Sequence, residues 1–489
     1  MAVKRPVILP ALSKARSGIR GLDEITGGGL PRGRPTLVCG SAGAGKTLFS
    51  IEFLVRGIEM GENGVFMAFE ETAEELAQNV TSLGFDLQRL CDQKKLLVDY
   101  VRVERGEIEE TGEYDLEGLF VRLGHAIDTV GAKRVVLDTI ESLFAGLNNA
   151  SLLRTELRRL FRWLKEREVT AVVTAERGVG ALTRQGLEEY VSDCVILLDH
   201  RVDGQISTRR LRVVKYRGSA HGTNEYPFLV DDYGFSVLPI TSLGLHHRAS
   251  AERVSTGIGR LDGMLGGGYF RGSTVLVSGT PGSGKTTLAA GFVQAACVSG
   301  ERCLFFAFEE SPQQLARNMR SVGIDLGRWQ KRGLLRLESA RPAVYGLETH
   351  LAFMHRTIRE FRPSAVLVDP ISDFTDSLAD NKAMLTRLID FLKMEGITAV
   401  FTSLASVGPL VEQEAGVSSL IDTWIVLRDP EREGRRHRTI CLVKSRGMAH
   451  SHAVREFLIT RRGVQIAEDQ PGVPEPPIEP ARAGARARP

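Results

Sequence analysis

Six cysteines are few for a chain of 489 residues, and none of them forms a C-x-x-C pair. Cys39, Cys91, Cys194, Cys297, Cys303 and Cys441 therefore suggest neither a zinc ribbon nor a thioredoxin-like motif. They read as apolar thiols buried in a protein of a reducing compartment. No apolar run approaches the ~20 residues needed to cross a bilayer. The N-terminus, MAVKRPVILPALSKARSG, has two prolines and only short apolar pieces, which makes a poor signal peptide. The expectation is a cytoplasmic protein with no membrane partner. An excess of either charge is also missing: 63 basic against 60 acidic residues leaves +3. That balance gives no general pull toward nucleic acid or anionic lipid. Aromatics are 7%, with no basic–aromatic interleaving of the kind single-strand binders use, so nucleic acid is not an expected partner. With 43% hydrophobic and 25% charged residues, what remains is ordinary globular material.

What the chain does have is two phosphate-binding loops. The first is Gly40-Ser41-Ala42-Gly43-Ala44-Gly45-Lys46-Thr47, and the second is Gly279-Thr280-Pro281-Gly282-Ser283-Gly284-Lys285-Thr286. Both fit G-x-x-x-x-G-K-[ST]. The glycines let backbone N–H groups close around phosphate oxygens, the lysine meets the β/γ charge, and the threonine hydroxyl meets Mg²⁺. Each loop follows an apolar, strand-like run, Thr36–Cys39 or Thr274–Ser278, and precedes a helical pattern. The chain is expected to bind nucleotide twice.

The loops belong to a duplication. Lys46 falls on Lys285 at an offset of 239, and the same offset lays Phe66-Met-Ala-Phe-Glu-Glu71 on Phe305-Phe-Ala-Phe-Glu-Glu310. Asp138 meets Asp369 at 231, while Asp193 meets Asp422 and Lys215 meets Lys444 at 229. The shrinking offset marks a deletion in the second copy. A period this long means tandem domains rather than a solenoid. In the first copy, strand-like Gly64–Phe69, Lys133–Asp138 and Val169–Ala175 alternate with helical Thr72–Leu83, opened by a Thr72/Glu75 capping box, and Leu152–Arg167. Such alternation predicts an α/β fold with mostly parallel sheets, and ligands beyond the carboxyl ends of their strands. The predicted organisation is an N-terminal segment over 1–16, domains over 17–247 and 248–468, and a disordered Pro/Arg tail over 469–489.

Four groups of residues are expected to carry chemistry. Asp138 and Asp369 end apolar strands and read as Mg²⁺ anchors together with Thr47 and Thr286, or as simple turn caps. Glu70-Glu71 and Glu309-Glu310 are candidate bases for an attacking hydroxyl, or helix-start acids favoured by the dipole. Lys215 with Arg217, and Lys444 with Arg446, alternate as they would on one strand face. They could reach a neighbouring subunit's γ-phosphate, or form a solvated edge pair. Ser418 and Ser419 stand only in the second copy, where the first has Glu189 and Tyr190. On residue type alone these serines read as caps of a turn.

Together these motifs resemble the KaiC family, the double-domain RecA-like ATPases that include the cyanobacterial clock protein. The resemblance runs from about Ser17 to Ile466. Its most specific parts are the duplicated P-loop with its FEE motif, Lys215-Tyr-Arg-Gly-Ser-Ala-His221 and Lys444-Ser-Arg-Gly-Met-Ala-His450. It implies two tandem RecA-like P-loop NTPase domains in a homohexamer, with ATP and Mg²⁺ between neighbours. It also implies an ATPase first domain, and a second that is a serine/threonine autokinase acting on an adjacent pair. That pair maps onto Ser418 and Ser419. A KaiB-like or other signalling partner goes with this reading. There are three departures: Ser419 stands where threonine is usual, Pro370 stands where a small hydroxyl residue is usual, and the Pro/Arg tail is unlike the one that binds the activator KaiA. The last argues against a KaiA-like activator. The competing functions are a RecA/RadA-like recombination or repair ATPase and an ATP-gated scaffold without kinase activity.

Overall fold

The computed structural model describes residues 12–101, 116–144, 150–178, 182–183, 192–203, 206–231, 234–239, 249–339, 347–371, 378–404, 419–432 and 435–467. Glu189, Tyr190, Ser418 and the Pro/Arg tail lie outside them. The chain divides into two compact units, one of residues 1–244 and 345–353, the other of 245–344 and 354–489.

Each unit is built on a nine-stranded sheet. In the first, the spatial order is 234–237, 225–231, 206–216, 194–203, 35–40, 170–176, 134–138, 64–68, 96–100. The strands from 194–203 to 96–100 run parallel, and the other three add antiparallel. The second sheet repeats this order: 463–466, 455–460, 439–445, 423–428, 274–279, 398–404, 365–369, 303–307, 335–339. These are the tandem RecA-like α/β domains the sequence predicts. The parallel strands are buried on both faces, which is why they read as near-continuous apolar runs. Along Pro35–Gly40, Leu37 and Cys39 enter one core layer and Val38 the other. Along Gly64–Ala68, Val65 and Met67 enter the first layer and Phe66 and Ala68 the second. Alternation of side-chain direction thus builds two cores from one strand.

The predicted helices form with small changes at their ends. Leu152–Arg167 is observed as Ala150–Glu166. Thr72 caps Ala73–Thr81 through a complete capping box with Glu75, and Ser311 with Gln314 does the same for Pro312–Ser321. The offset of 239 relates these two boxes. No helix among the described residues is long and apolar enough to cross a membrane.

Candidate nucleotide site

In both domains the P-loop leaves the carboxyl end of a central strand, Pro35–Gly40 or Thr274–Gly279, and enters a 14-residue helix, Lys46–Glu59 or Lys285–Val298. The turn needs a left-handed residue at the helix N-cap. Gly45 takes φ 98° and Gly284 φ 100°, a region that costs residues with a Cβ. Inside each loop the lysine ammonium is buried and turned onto loop carbonyls. Lys46 Nζ donates to Gly40 O at 3.0 Å and Ser41 O at 3.1 Å. Lys285 Nζ donates to Gly279 O at 2.8 Å and Thr280 O at 3.0 Å. A fixed positive charge therefore sits where the backbone amides of the loop converge.

Asp138 and Asp369 end the strands Arg134–Asp138 and Ala365–Asp369, one strand removed from each P-loop strand. The Thr47 hydroxyl hydrogen-bonds the Asp138 carboxyl, and Thr286 does the same to Asp369. Thr174 also donates to Asp138, and Thr402 to Asp369. Burial pushes both carboxyls up, against the pull of these hydroxyls and of Lys46 or Lys285. A hydroxyl and a carboxylate held together beside a lysine are hard oxygen donors of the type Mg²⁺ takes. The peptide bonds Asp138–Thr139 and Asp369–Pro370 are both cis.

The glutamate pairs follow Gly64–Ala68 and Cys303–Ala307 and differ between domains. In the first, Thr139 Oγ1 and Ser142 Oγ donate to Glu70 Oε1 at 2.9 and 2.8 Å. In the second, Pro370 occupies the position of Thr139 and has no hydroxyl to donate. Glu310 there accepts from Asn318 Nδ2 at 3.2 and 3.3 Å.

The Lys/Arg pairs lie at the far end of each sheet from their own P-loop. Tyr216 pairs with Cys194, and Cys194 with Thr36, four residues before Gly40. At ~3.3 Å per residue the separation is roughly 13 Å along the strand. Ser445 pairs with Thr423, and Thr423 with Val275, four residues before Gly279. The strands end at Tyr216 and Ser445, so Arg217 and Arg446 lie just beyond them rather than on one strand face with the lysines. What holds the arginines is the late aspartate. Arg217 N donates to Asp193 O and Arg446 N to Asp422 O, both at 2.8 Å. Their guanidinium groups approach the same carboxylates at 3.8 and 4.0 Å. Although burial opposes it, Lys393 and Thr274 hold the Asp422 carboxyl below the usual range. Burial, then the Arg446 charge, pushes the Lys444 ammonium down. Arg446 Nη2 also donates to the carbonyl of Ser419, which puts that serine beside the basic pair.

Three sets of contacts escape the motif reading. Thr174 and Thr402, which grip the aspartates, occupy matching places in Thr170-Ala-Val-Val-Thr174 and Thr398-Ala-Val-Phe-Thr402, so the repeat carries the signal at an offset of 228. Arg209 and Arg438 match at 229 and lie by their own P-loops. Arg438 Nη2 donates to Gly282 O at 3.4 Å, and Arg209 Nη1 lies 3.9 Å from where a Cβ on Gly45 would stand. The hydroxyls that Thr139 and Ser142 turn onto Glu70 come from a later segment, whereas the amide on Glu310 recurs in the first copy as Asn79, at the offset of 239.

The family model of the ATPase KaiC matches residues 15–242 and again 254–471. The chain is 57% identical to the circadian clock protein KaiC2 of Synechocystis sp. over 465 residues, 94% of this chain and 82% of that one. It is 39% identical to the circadian clock oscillator protein KaiC of Synechococcus elongatus, covering 94% and 90% of the two chains. It is 37% identical to the circadian clock protein KaiC3 of Synechocystis sp., covering 94% and 92%. Two P-loops with matching aspartates, in two sheets of one topology, are what these alignments span, and the chain belongs to the KaiC family of ATPases.

Proposed function

We propose that this protein is a ring-forming ATPase and serine autokinase that works as a signalling or circadian-type switch. ATP would lie at each P-loop, where Thr47 and Asp138, or Thr286 and Asp369, would hold Mg²⁺. When bound, the metal neutralises charge shared by the β- and γ-phosphate oxygens. Lys46 and Lys285 meet the γ-phosphate charge, and Arg209 and Arg438 add positive charge beside the loops. In the first domain Glu70, aimed by Thr139 and Ser142, takes the proton of the attacking water at its carboxylate. In the second, Glu309 or Glu310 takes it from a serine hydroxyl.

The observation that carries this reading is the placement of Lys215, Arg217, Lys444 and Arg446 at the sheet end opposite their own P-loops. A pair there completes a nucleotide site only on a neighbouring copy. Head-to-tail contacts of this kind form rings where the rotation between copies closes. Ser419 lies at the same end, so phosphoryl transfer to it also crosses between subunits. Membership of the KaiC family supports a homohexamer with a KaiB-like or other signalling partner.

Mixing tests the arrangement. Lys46→Ala and Arg217→Ala proteins are each expected to lose first-domain hydrolysis. Co-assembled in equal amounts, they should recover about a quarter of the wild-type rate, because one interface in four joins an intact P-loop to an intact arginine. Zero recovery from rings shown by mass to be mixed would place Arg217 outside the neighbour's site. A second test concerns the aspartate clamp. Thr174→Val should raise the Mg²⁺ concentration for half-maximal first-domain turnover by about 10- to 100-fold. An unchanged Mg²⁺ titration would remove Asp138 from the metal site.

A further inference from the structure

At the other end of the first sheet from its P-loop, a cleft of about 680 Å³ is lined by Arg32, Arg34, Lys133 and Lys165, with Glu168 as its one lining carboxylate. Its floor is fixed by Gly33 N, which donates to Thr170 Oγ1 at 3.1 Å. Two carboxylates outside the lining offset part of this charge. Lys165 Nζ is 2.6 Å from Asp193, which Arg34 and Arg217 both approach at 3.8 Å. Arg32 reaches Glu62 at 3.0 Å, but Glu62 is shared with the buried Arg134 at 2.8 Å.

The second domain serves as an internal control. It keeps the same frame: Gly272 N donates to Thr398 Oγ1 at 3.0 Å, and Lys393 pairs with Asp422 at 2.8 Å. Two of the four cations, however, are missing. Ser273 stands for Arg34 and Ser364 for Lys133. Arg271, the counterpart of Arg32, is gripped by Glu252 at 2.7 Å and Glu301 at 2.6 Å, and Glu252 replaces Ser13 of the first copy. Of the four cation positions of the first cleft, only those of Arg32 and Lys165 keep a charge there, as Arg271 and Lys393. The fold therefore forms without the extra cations. Like charges crowded into one cleft repel, so their retention in one copy asks for a ligand.

We propose that this cleft binds a small inorganic oligophosphate, at a site separate from either P-loop. The volume falls in the ~300–1,000 Å³ range of small-molecule sites. Arginine forks suit phosphate oxygens bidentately, and lysines meet them as point charges. Among the described residues no aromatic or aliphatic side chain lines the cleft, so none of them would stack a base or seat an apolar peptide residue. Arg34 precedes the strand whose far end, Gly40, opens the P-loop, roughly 20 Å away at ~3.3 Å per residue. One phosphate chain cannot occupy both sites.

The test is calorimetric titration of sodium tripolyphosphate into the full-length protein saturated with ADP. Wild type and Lys46→Ala/Lys285→Ala are both expected to show a site in the first domain whose affinity falls as salt rises. Arg34→Ser/Lys133→Ser, which copies the residues of the second domain, should weaken it at least about tenfold. Lys133→Ser alone, at an exposed position, gives the same direction if the double variant unfolds. Equal affinity in the serine variants would overturn the proposal, as would loss of the signal in the P-loop lysine variants. Binding of hexaglutamate as tight as that of tripolyphosphate would reassign the cleft to acidic polypeptide.

Discussion

Lys46→Ala is expected to remove most ATP hydrolysis and to weaken the ring, whereas Lys285→Ala is expected to remove mainly phosphorylation, each by about 10²–10³-fold in its own reaction. Both ammonium groups are buried in their loops and satisfied by two loop carbonyls, so alanine deletes the same charge from the same place twice. The losses should nevertheless differ in kind, because the surroundings differ. Glu70 is aimed by two hydroxyls, Thr139 and Ser142, as suits a base acting on a small, mobile water. In the second domain Pro370 removes one such donor, and Asn318 donates to Glu310. Only that domain has a serine, Ser419, under the basic pair. Steady-state turnover and incorporation of labelled phosphate, measured on the same preparations, separate the two. Matched turnover losses in both variants, with labelling intact in Lys285→Ala, would sink the division of labour. Thermal unfolding with and without nucleotide controls for a loosened loop, since each lysine also satisfies buried carbonyls.

The unequal domains show what a single sequence discloses. The P-loops, the strand-ending aspartates and the FEE runs are local patterns, and the structure places each where its strand and turn chemistry predict. The parallel strands were legible because burial on both faces leaves no polar alternation to blur them. Arg217 was half legible: its residue type was clear, but the end of the strand at Tyr216 and the anchoring by Asp193 depend on pairing across the sheet. Thr174 is long-range in the same way. Its hydroxyl meets Asp138 from a neighbouring parallel strand, and only the recurrence at Thr402 marks it in the sequence. The two FEE runs look identical on paper, and the hydroxyls that hold Glu70 come from a later segment. The basic cleft was invisible for the same reason, since its four cations are drawn together from two separate strand starts and one helix end.

Ser418→Ala/Ser419→Ala is expected to abolish incorporation of label from γ-labelled ATP, and Glu309→Gln/Glu310→Gln to reduce it by about 10²–10⁴-fold. A serine hydroxyl scarcely ionises at neutral pH, so its proton must pass to a positioned carboxylate as the γ-phosphoryl arrives. Gln keeps the size and hydrogen bonding of Glu but cannot take that proton. The acceptor's own P-loop is at the far end of the sheet, so the donor nucleotide belongs to a neighbour. Label should therefore appear in a Lys285→Ala subunit when it is mixed with wild type, and be absent when that variant is alone. A phosphate on Ser419 adds about −1.5 to −2 charges. Arg446 already donates to the Ser419 carbonyl and only approaches Asp422, at 4.0 Å. The new anion should thus capture Arg446, order the turn and slow subunit exchange in the second ring. Faster exchange after phosphorylation would mean that repulsion from Asp422 wins. Label retained in the serine double variant would exclude these acceptors, and label retained at the wild-type rate in the glutamine variant would exclude the pair as base.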